Sequence, residues 1–190
     1  MDPGERGESQ DLRPWLRSGR ATAGTSRSSS VSGWHSASAR DFSNIWLMQG
    51  VPPEELDALA ADCEDRTYTA GETVFRSGES SDGLFLLLSG TVRIVTHPEN
   101  GDTFLASVGA GECFGEMGVI DGEPRSATAV TATLSSVRFV PTEPFLDLME
   151  RVPIVSMKLL ALLSDRLRRT NSLIADLPGP ISRAQLRLDD

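Results

Sequence analysis

The stretch Gly111-Glu112-Cys113-Phe114-Gly115-Glu116-Met117-Gly118-Val119-Ile120-Asp121-Gly122-Glu123-Pro124-Arg125-Ser126-Ala127-Thr128 decides how this chain is read. It sets one carboxylate, one guanidinium and one hydroxyl around a glycine-rich turn. A carboxylate only accepts hydrogen bonds and a guanidinium only donates them. Glu116, Arg125 and Ser126 therefore suit a ligand with a sugar diol at one end and a single phosphate at the other. Gly115 and Gly118 have no side chains, so backbone N–H groups such as that of Met117 can approach such an anion closely. A short helical turn starting near Glu116 would aim its unpaired amides at the same place.

Two other readings use the same residues. Glu116 and Arg125 could form a surface ion pair, which would stabilise little. Gly109-x-Gly111 followed by Gly115 could open a dinucleotide-binding fingerprint. That fingerprint needs a preceding strand, a long following helix and an acidic residue about 20 positions on. Here strand-rich sequence follows instead, and the Arg125 cluster lies only a few residues away.

Phe114-Gly115-Glu116, a short spacer and Pro124-Arg125-Ser126-Ala127-Thr128 resemble the phosphate-binding cassette of the cyclic nucleotide-binding domain family. The resemblance runs from about Asn44 to Leu177. It implies that Glu116 holds a ribose 2′-hydroxyl, that Arg125 pairs with the cyclic phosphate and that Ser126 adds a hydroxyl. Phe114, Gly115, Met117 and Ala127 would complete the cassette. Family members of the catabolite activator type reach the adenine from their long C-terminal helix, at positions that align with Thr170 and Asn171 here. Serine at position 126 resembles bacterial cyclic AMP sensors, whereas threonine there in eukaryotic relatives favours cyclic GMP. Cyclic AMP is therefore the expected ligand and cyclic GMP the alternative.

Composition narrows the partners. At 190 residues the chain has room for one ordinary domain plus tails. The formal net charge of −9 argues against a nucleic-acid surface. Residues 1–40 hold six Arg against four acids, so residues 41–190 carry a net −11. A phosphate site in so acidic a body needs a local cation, which singles out Arg125; every carboxylate other than Glu116 reads as solvated surface. Cys63 and Cys113 form no metal or redox motif, and neither His35 nor His97 has ligand spacing around it. No metal is expected. There is no apolar run near 18 residues and no secretory h-region, so a cytoplasmic location without a membrane span is expected. No Walker loop, nucleophile elbow or His/Asp arrangement appears, and no catalysis is expected.

The rest of the chain reads outward from the cassette. Residues 1–40, rich in Ser, Gly and Arg with Trp15 and Trp34 isolated among them, predict a disordered arm. Asn44–Met48 predicts a short helix ended by Gly50, and Pro52-Pro53-Glu54-Glu55 opens a second through about Ala61. From Arg66 to Val140 short β runs are punctuated by Gly71, Gly78, Gly90, Gly101 and Gly109, with a hairpin signal at Asn100-Gly101. Such spacing predicts an α+β, mostly β fold: an antiparallel, jelly-roll-like β-roll over 66–140, flanked by short N-terminal helices and C-terminal helices over 142–177. Thr142-Glu143-Pro144 caps the first of those, running to about Arg151. The second follows Pro153 and carries Leu160, Leu163, Leu167, Thr170, Ile174 and Leu177 at coiled-coil spacing. That seam predicts a homodimer; a helix simply lying on the roll is the alternative.

The expected domain is thus 41–177, followed by a flexible tail, 178–190. The leading expectation is a sensor module acting on an unidentified downstream protein. A transcription regulator without its own DNA-binding module, and a scaffold answering a different ligand or a protein partner, are the rivals. Only ten residues follow the Pro178-Gly179-Pro180 stop, which is too few for a helix-turn-helix, so direct DNA binding by this chain is not expected.

Overall fold

Helix, strand and glycine signals resolve into two four-stranded antiparallel sheets and a layer of helices. The computed structural model describes residues 42–96 and 103–176, with side chains to residue 172. The predicted arm, the tail, His97, the Asn100-Gly101 hairpin tip and the Ile174 and Leu177 seam side chains lie outside the described residues. After a 3-10 turn, Trp46–Met48, come α1 (Pro53–Ala61), β1 (Glu64–Tyr68), β2 (Thr73–Phe75), β3 (Gly83–Ser89), β4 (Thr91–Thr96) and β5 (Thr103–Gly109). Then follow β6 (Cys113–Phe114), α2 (Met117–Asp121), β7 (Thr128–Thr131), β8 (Ser135–Pro141), α3 (Thr142–Arg151) and α4 (Pro153–Asp176). The strand orders are β1-β8-β3-β6 and β2-β7-β4-β5.

β3 explains how the layers stack. Its run Leu84-Phe85-Leu86-Leu87 is buried throughout, as expected of a strand covered on both faces. Alternate side chains point to opposite faces of a strand. Phe85 and Leu87 join Phe75, Val92, Val108, Phe114, Ala129, Val137 and Phe139 inside the roll. Leu84 and Leu86 join Phe42, Leu47, Leu59, Val140, Phe145, Leu148 and Leu159 on the helical side. One strand thus fixes both the roll and the seat of the helices. α4 is tied down further by Lys158, whose Nζ donates to the Trp46 carbonyl at 2.8 Å and lies over the Trp46 ring.

The structure alters three expectations. Thr142 does not cap α3: it is the first helical residue, and extended Pro141 precedes it with no side-chain cap. The seam on α4 divides, because Leu163 packs on the helical core while Leu160 and Leu167 are exposed. A straight helix drifts relative to a 3.5-residue repeat, so a pattern with coiled-coil spacing can straddle a buried and an open face. Nor is every other carboxylate solvated surface. Asp65 lies opposite Arg138 in the β1–β8 register and accepts two bonds from it, Nε at 2.7 Å and Nη2 at 2.8 Å. Arg138 is fully buried beneath the Phe42 ring. Arg138 is buried, whereas Asp65 keeps about a third of its side chain exposed. Hydrogen bonds to a charged group contribute about 1.5–3 kcal/mol. Asp65→Ala should therefore destabilise the fold by about 1.5–3 kcal/mol, read as a lower urea midpoint; an unchanged midpoint would show that this pair is dispensable.

Candidate functional site

Between β6 and β7 the chain folds into the short loop that the sequence singled out. Phe114 closes β6 with its ring stacked on Phe85 at 5.2 Å, inside the roll. It therefore anchors the loop from below rather than presenting a face outward. Gly115 follows with φ +76°, where an added Cβ would stand 2.7 Å from Arg125 Nη1. Backbone conformation and crowding both demand glycine there. Gly118 is glycine for a different reason: a Cβ would meet the Glu123 carbonyl at 2.5 Å and the Ser81 side chain. Its bareness serves packing of α2 on the β2–β3 loop.

Arg125 is held through both backbone and side chain. Its N–H donates to the Glu79 carbonyl and its carbonyl accepts from Gly78, each at 2.8 Å. The guanidinium lies 4.4 Å over the Phe75 ring. Nη1 donates to the Gly115 carbonyl at 2.7 Å and Nη2 to Asp82 at 3.2 Å. Burial pulls its pKa below the usual arginine range; the nearby Asp82, Glu79 and Glu116 charges oppose that shift. Asp82, itself largely exposed, is thus a second carboxylate that is more than bare surface.

Glu116 is fully buried at the start of α2. One carboxylate oxygen accepts from Arg166 of α4, whose other terminal nitrogen donates to the Cys113 carbonyl. Glu116 and Arg125 are therefore not a surface ion pair: both are buried, and each finds its partner elsewhere. Each of these two side chains keeps one buried atom without a hydrogen-bond partner, Glu116 Oε2 and Arg125 Nε. One is a pure acceptor and the other a pure donor, each costing about 1–3 kcal/mol when left unsatisfied. The loop is built to offer both.

The remaining sequence candidates divide. Ser126 is exposed beside the half-exposed Met117, its hydroxyl 3.7 Å from the Met117 sulfur, and Ala127 is buried below them. Thr170 and Asn171 are exposed on α4 and are not brought to the cassette. The Thr170 hydroxyl instead donates to the Arg166 carbonyl one turn back. Arg166 was missed. It stands one helical turn before Thr170, on the face that meets Cys113 and Glu116; local sequence carried no sign of that contact.

An aromatic-floored roll whose β6–β7 loop carries a buried carboxylate and a buried guanidinium defines a small-ligand-binding module. Residues 65–152 belong to the cyclic nucleotide-binding domain family. The chain is 37% identical over 126 residues to the cyclic AMP receptor protein of Thermus thermophilus, a match covering 66% of this chain and 58% of that protein. It is 32% identical over 148 residues to the CRP-like cAMP-activated global transcriptional regulator of Mycobacterium tuberculosis, covering 75% of this chain and 66% of that one. The crystal structure of the Thermus thermophilus catabolite activator protein superposes with a TM-score of 0.60 at 35% identity, covering 68% of this chain and 61% of that structure. The chain thus spans about three fifths to two thirds of the length of these relatives. Among the described residues no group of His, Cys, Asp and Glu could hold a metal, and no helix is long and apolar enough to cross a membrane.

Cys113 reports on how tightly the loop is shut. Burial, reinforced by the Glu116 carboxylate and opposed by Arg166, pushes its thiol from 9.0 to about 12. The folded state keeps the neutral thiol, so its contribution to stability is whole below pH 9.0 and is lost as pH rises towards about 12. At pH 8 a thiol reagent should label Cys113 only at the rate of unfolding, seen as denaturant-dependent kinetics; rapid labelling at Cys113, counted apart from the half-buried Cys63, would show an open loop.

Proposed function

We propose that this chain is a non-catalytic sensor of a cyclic nucleotide, cyclic AMP in preference to cyclic GMP. The observation that carries this reading is the unpartnered pair, Glu116 Oε2 and Arg125 Nε, at one glycine-rich turn. A cyclic phosphodiester bears one negative charge and only acceptor oxygens, which suits the open Nε–H and the guanidinium charge. The ribose 2′-hydroxyl can donate to Glu116 Oε2. Ser126, exposed at the end of the loop, adds a hydroxyl, and the Gly115–Met117 backbone lines the approach.

The phosphate reaches an arginine that already has a weak counter-charge. Asp82 is mostly in water, and an exposed partner contributes little. A phosphate closing on the guanidinium is drier and charge-assisted, so it competes well. The base is the part of the ligand that this single chain holds least. Thr170 and Asn171 face solvent, so they serve the purine in a homodimer whose two copies meet along the open face of α4. Exposed Ile154, Met157, Leu160 and Leu167 supply that face with apolar surface. Because Arg166 joins α4 to the same glutamate that takes the sugar, ligand and helix position are coupled, and α4 is the output that a downstream protein would read.

Two measurements test this. Titration calorimetry with cyclic AMP should show Arg125→Ala weakening binding by about 100- to 1,000-fold, as expected when a desolvated phosphate loses its cation. Near-native affinity in that variant would contradict the site. Thermal shift of the wild-type chain should rise with cyclic AMP, less with cyclic GMP and not with linear AMP, since only a ligand that binds the native state stabilises it. Equal stabilisation by linear AMP would point to a general nucleotide or anion site.

A further inference from the structure

A cavity of about 290 Å³ lies where the 3-10 turn, the loop entering β6 and α4 meet. Trp46, Leu47, Ala161 and Leu162 give it apolar walls, and Glu112 and Asp165 stand at its edge. Trp46 leaves 43% of its surface uncovered, and Ala161 is exposed as well. Wet indole and aliphatic surface in a concave site gains from being covered. Both carboxylates already have partners, Glu112 on the Gly109 N–H and Asp165 on Arg169. Both are also exposed, and such screened contacts leave room for another cation.

A matching segment precedes the described fold. Residues 12–40 contain Arg13, Arg17, Arg20, Arg27 and Arg40 and no Asp or Glu, opposite in sign to the acidic body. Phe42, buried under α1 and β8, fixes where that segment leaves, and the Trp46 wall follows one 3-10 turn later. Trp34 lies close enough to Phe42 to reach up to about 26 Å from it. We propose that Trp34 seats in this cavity against Trp46, Ala161 and Leu162, with Arg40 set on Glu112 and Asp165. The segment then acts as an intramolecular brace on α4. Trp15 carries flanking arginines too, but its longer tether makes closure about sixfold less favourable.

The brace bears on the cassette. Asp165 adjoins Arg166, and Cys113, at the cavity wall, gives Arg166 its carbonyl partner. Seating Trp34 holds α4 where Arg166 meets Glu116. This consequence for ligand affinity rests on the cyclic-nucleotide reading, whereas the docking itself does not.

Amide hydrogen exchange on the full chain, without nucleotide, tests the docking. The probes are the Trp46 amide, bonded to the Gly111 carbonyl at 3.1 Å, and the α4 amides of residues 161–165. Trp34→Ala should speed exchange at both by about tenfold or more; Arg40→Glu should act in the same direction, and Trp15→Ala should change neither. Unchanged exchange in Trp34→Ala overturns the proposal. So does protection that follows Trp15, or protection of the Trp46 amide that grows with protein concentration, which would place a second copy in the cavity; a concentration dependence confined to α4 reports the homodimer instead. The readout contains no ligand, so its failure leaves the sensor reading standing, and loss of nucleotide binding leaves the brace standing.

Discussion

A carboxylate and a guanidinium on one short loop are both withdrawn from water without being paired to each other. That separation is the constraint on which the rest of the structure depends. Buried charges are costly unless they are partnered, so the fold must bring Glu116 and Arg125 partial partners from elsewhere. Arg166 arrives from α4, and Asp82 arrives from the turn before β3. Each charge is answered on one side only, leaving an acceptor and a donor available on the other. A site with everything satisfied would have no reason to bind; a site with nothing satisfied would not stay folded.

The surrounding architecture serves that arrangement. The aromatic group Phe75, Phe85 and Phe114 forms a stiff floor beneath the guanidinium, with ring centroids 5.2 to 5.9 Å apart. Gly115 lets the loop pass close over Arg125, where any side chain would collide. On the other face of the same sheet, β3 hands Leu84 and Leu86 to the helices, so the floor of the site and the seat of α4 share a strand. Arg166 joins α4 to Glu116 directly; in the proposed sensor a shift of α4 would be felt at Glu116, and a ligand at Glu116 would be felt along α4. Such a link needs no more than one ion pair joining two rigid parts.

Local chemistry was what the sequence made legible. Glycines at turns, short β runs and the residues from Phe114 to Thr128 were enough to place the roll and the loop. What stayed hidden depended on distance along the chain. Arg166 looks like any charge on an amphipathic helix until the helix is laid on the roll. Asp65 meets Arg138 only through the β1–β8 register, and Asp82 sits in a Gly- and Ser-rich turn that reads as solvent-facing. Leu163 and Leu160 share a sequence seam but not an environment, because only packing decides which flank of a helix is covered. Gly118 was legible as a glycine that mattered, though not as one required by Ser81 and Glu123.

The central claim, that the open donor on Arg125 is there for a cyclic phosphodiester, is accessible to a direct probe. The Arg125 side-chain Nε–H gives its own nitrogen–proton resonance, assigned by comparison with Arg125→Lys. Titration with cyclic AMP should move that resonance markedly and slow its exchange with water, in step with saturation of the chain. If the chain saturates with cyclic AMP while the Arg125 Nε–H resonance stays where it was, the account of this site is wrong.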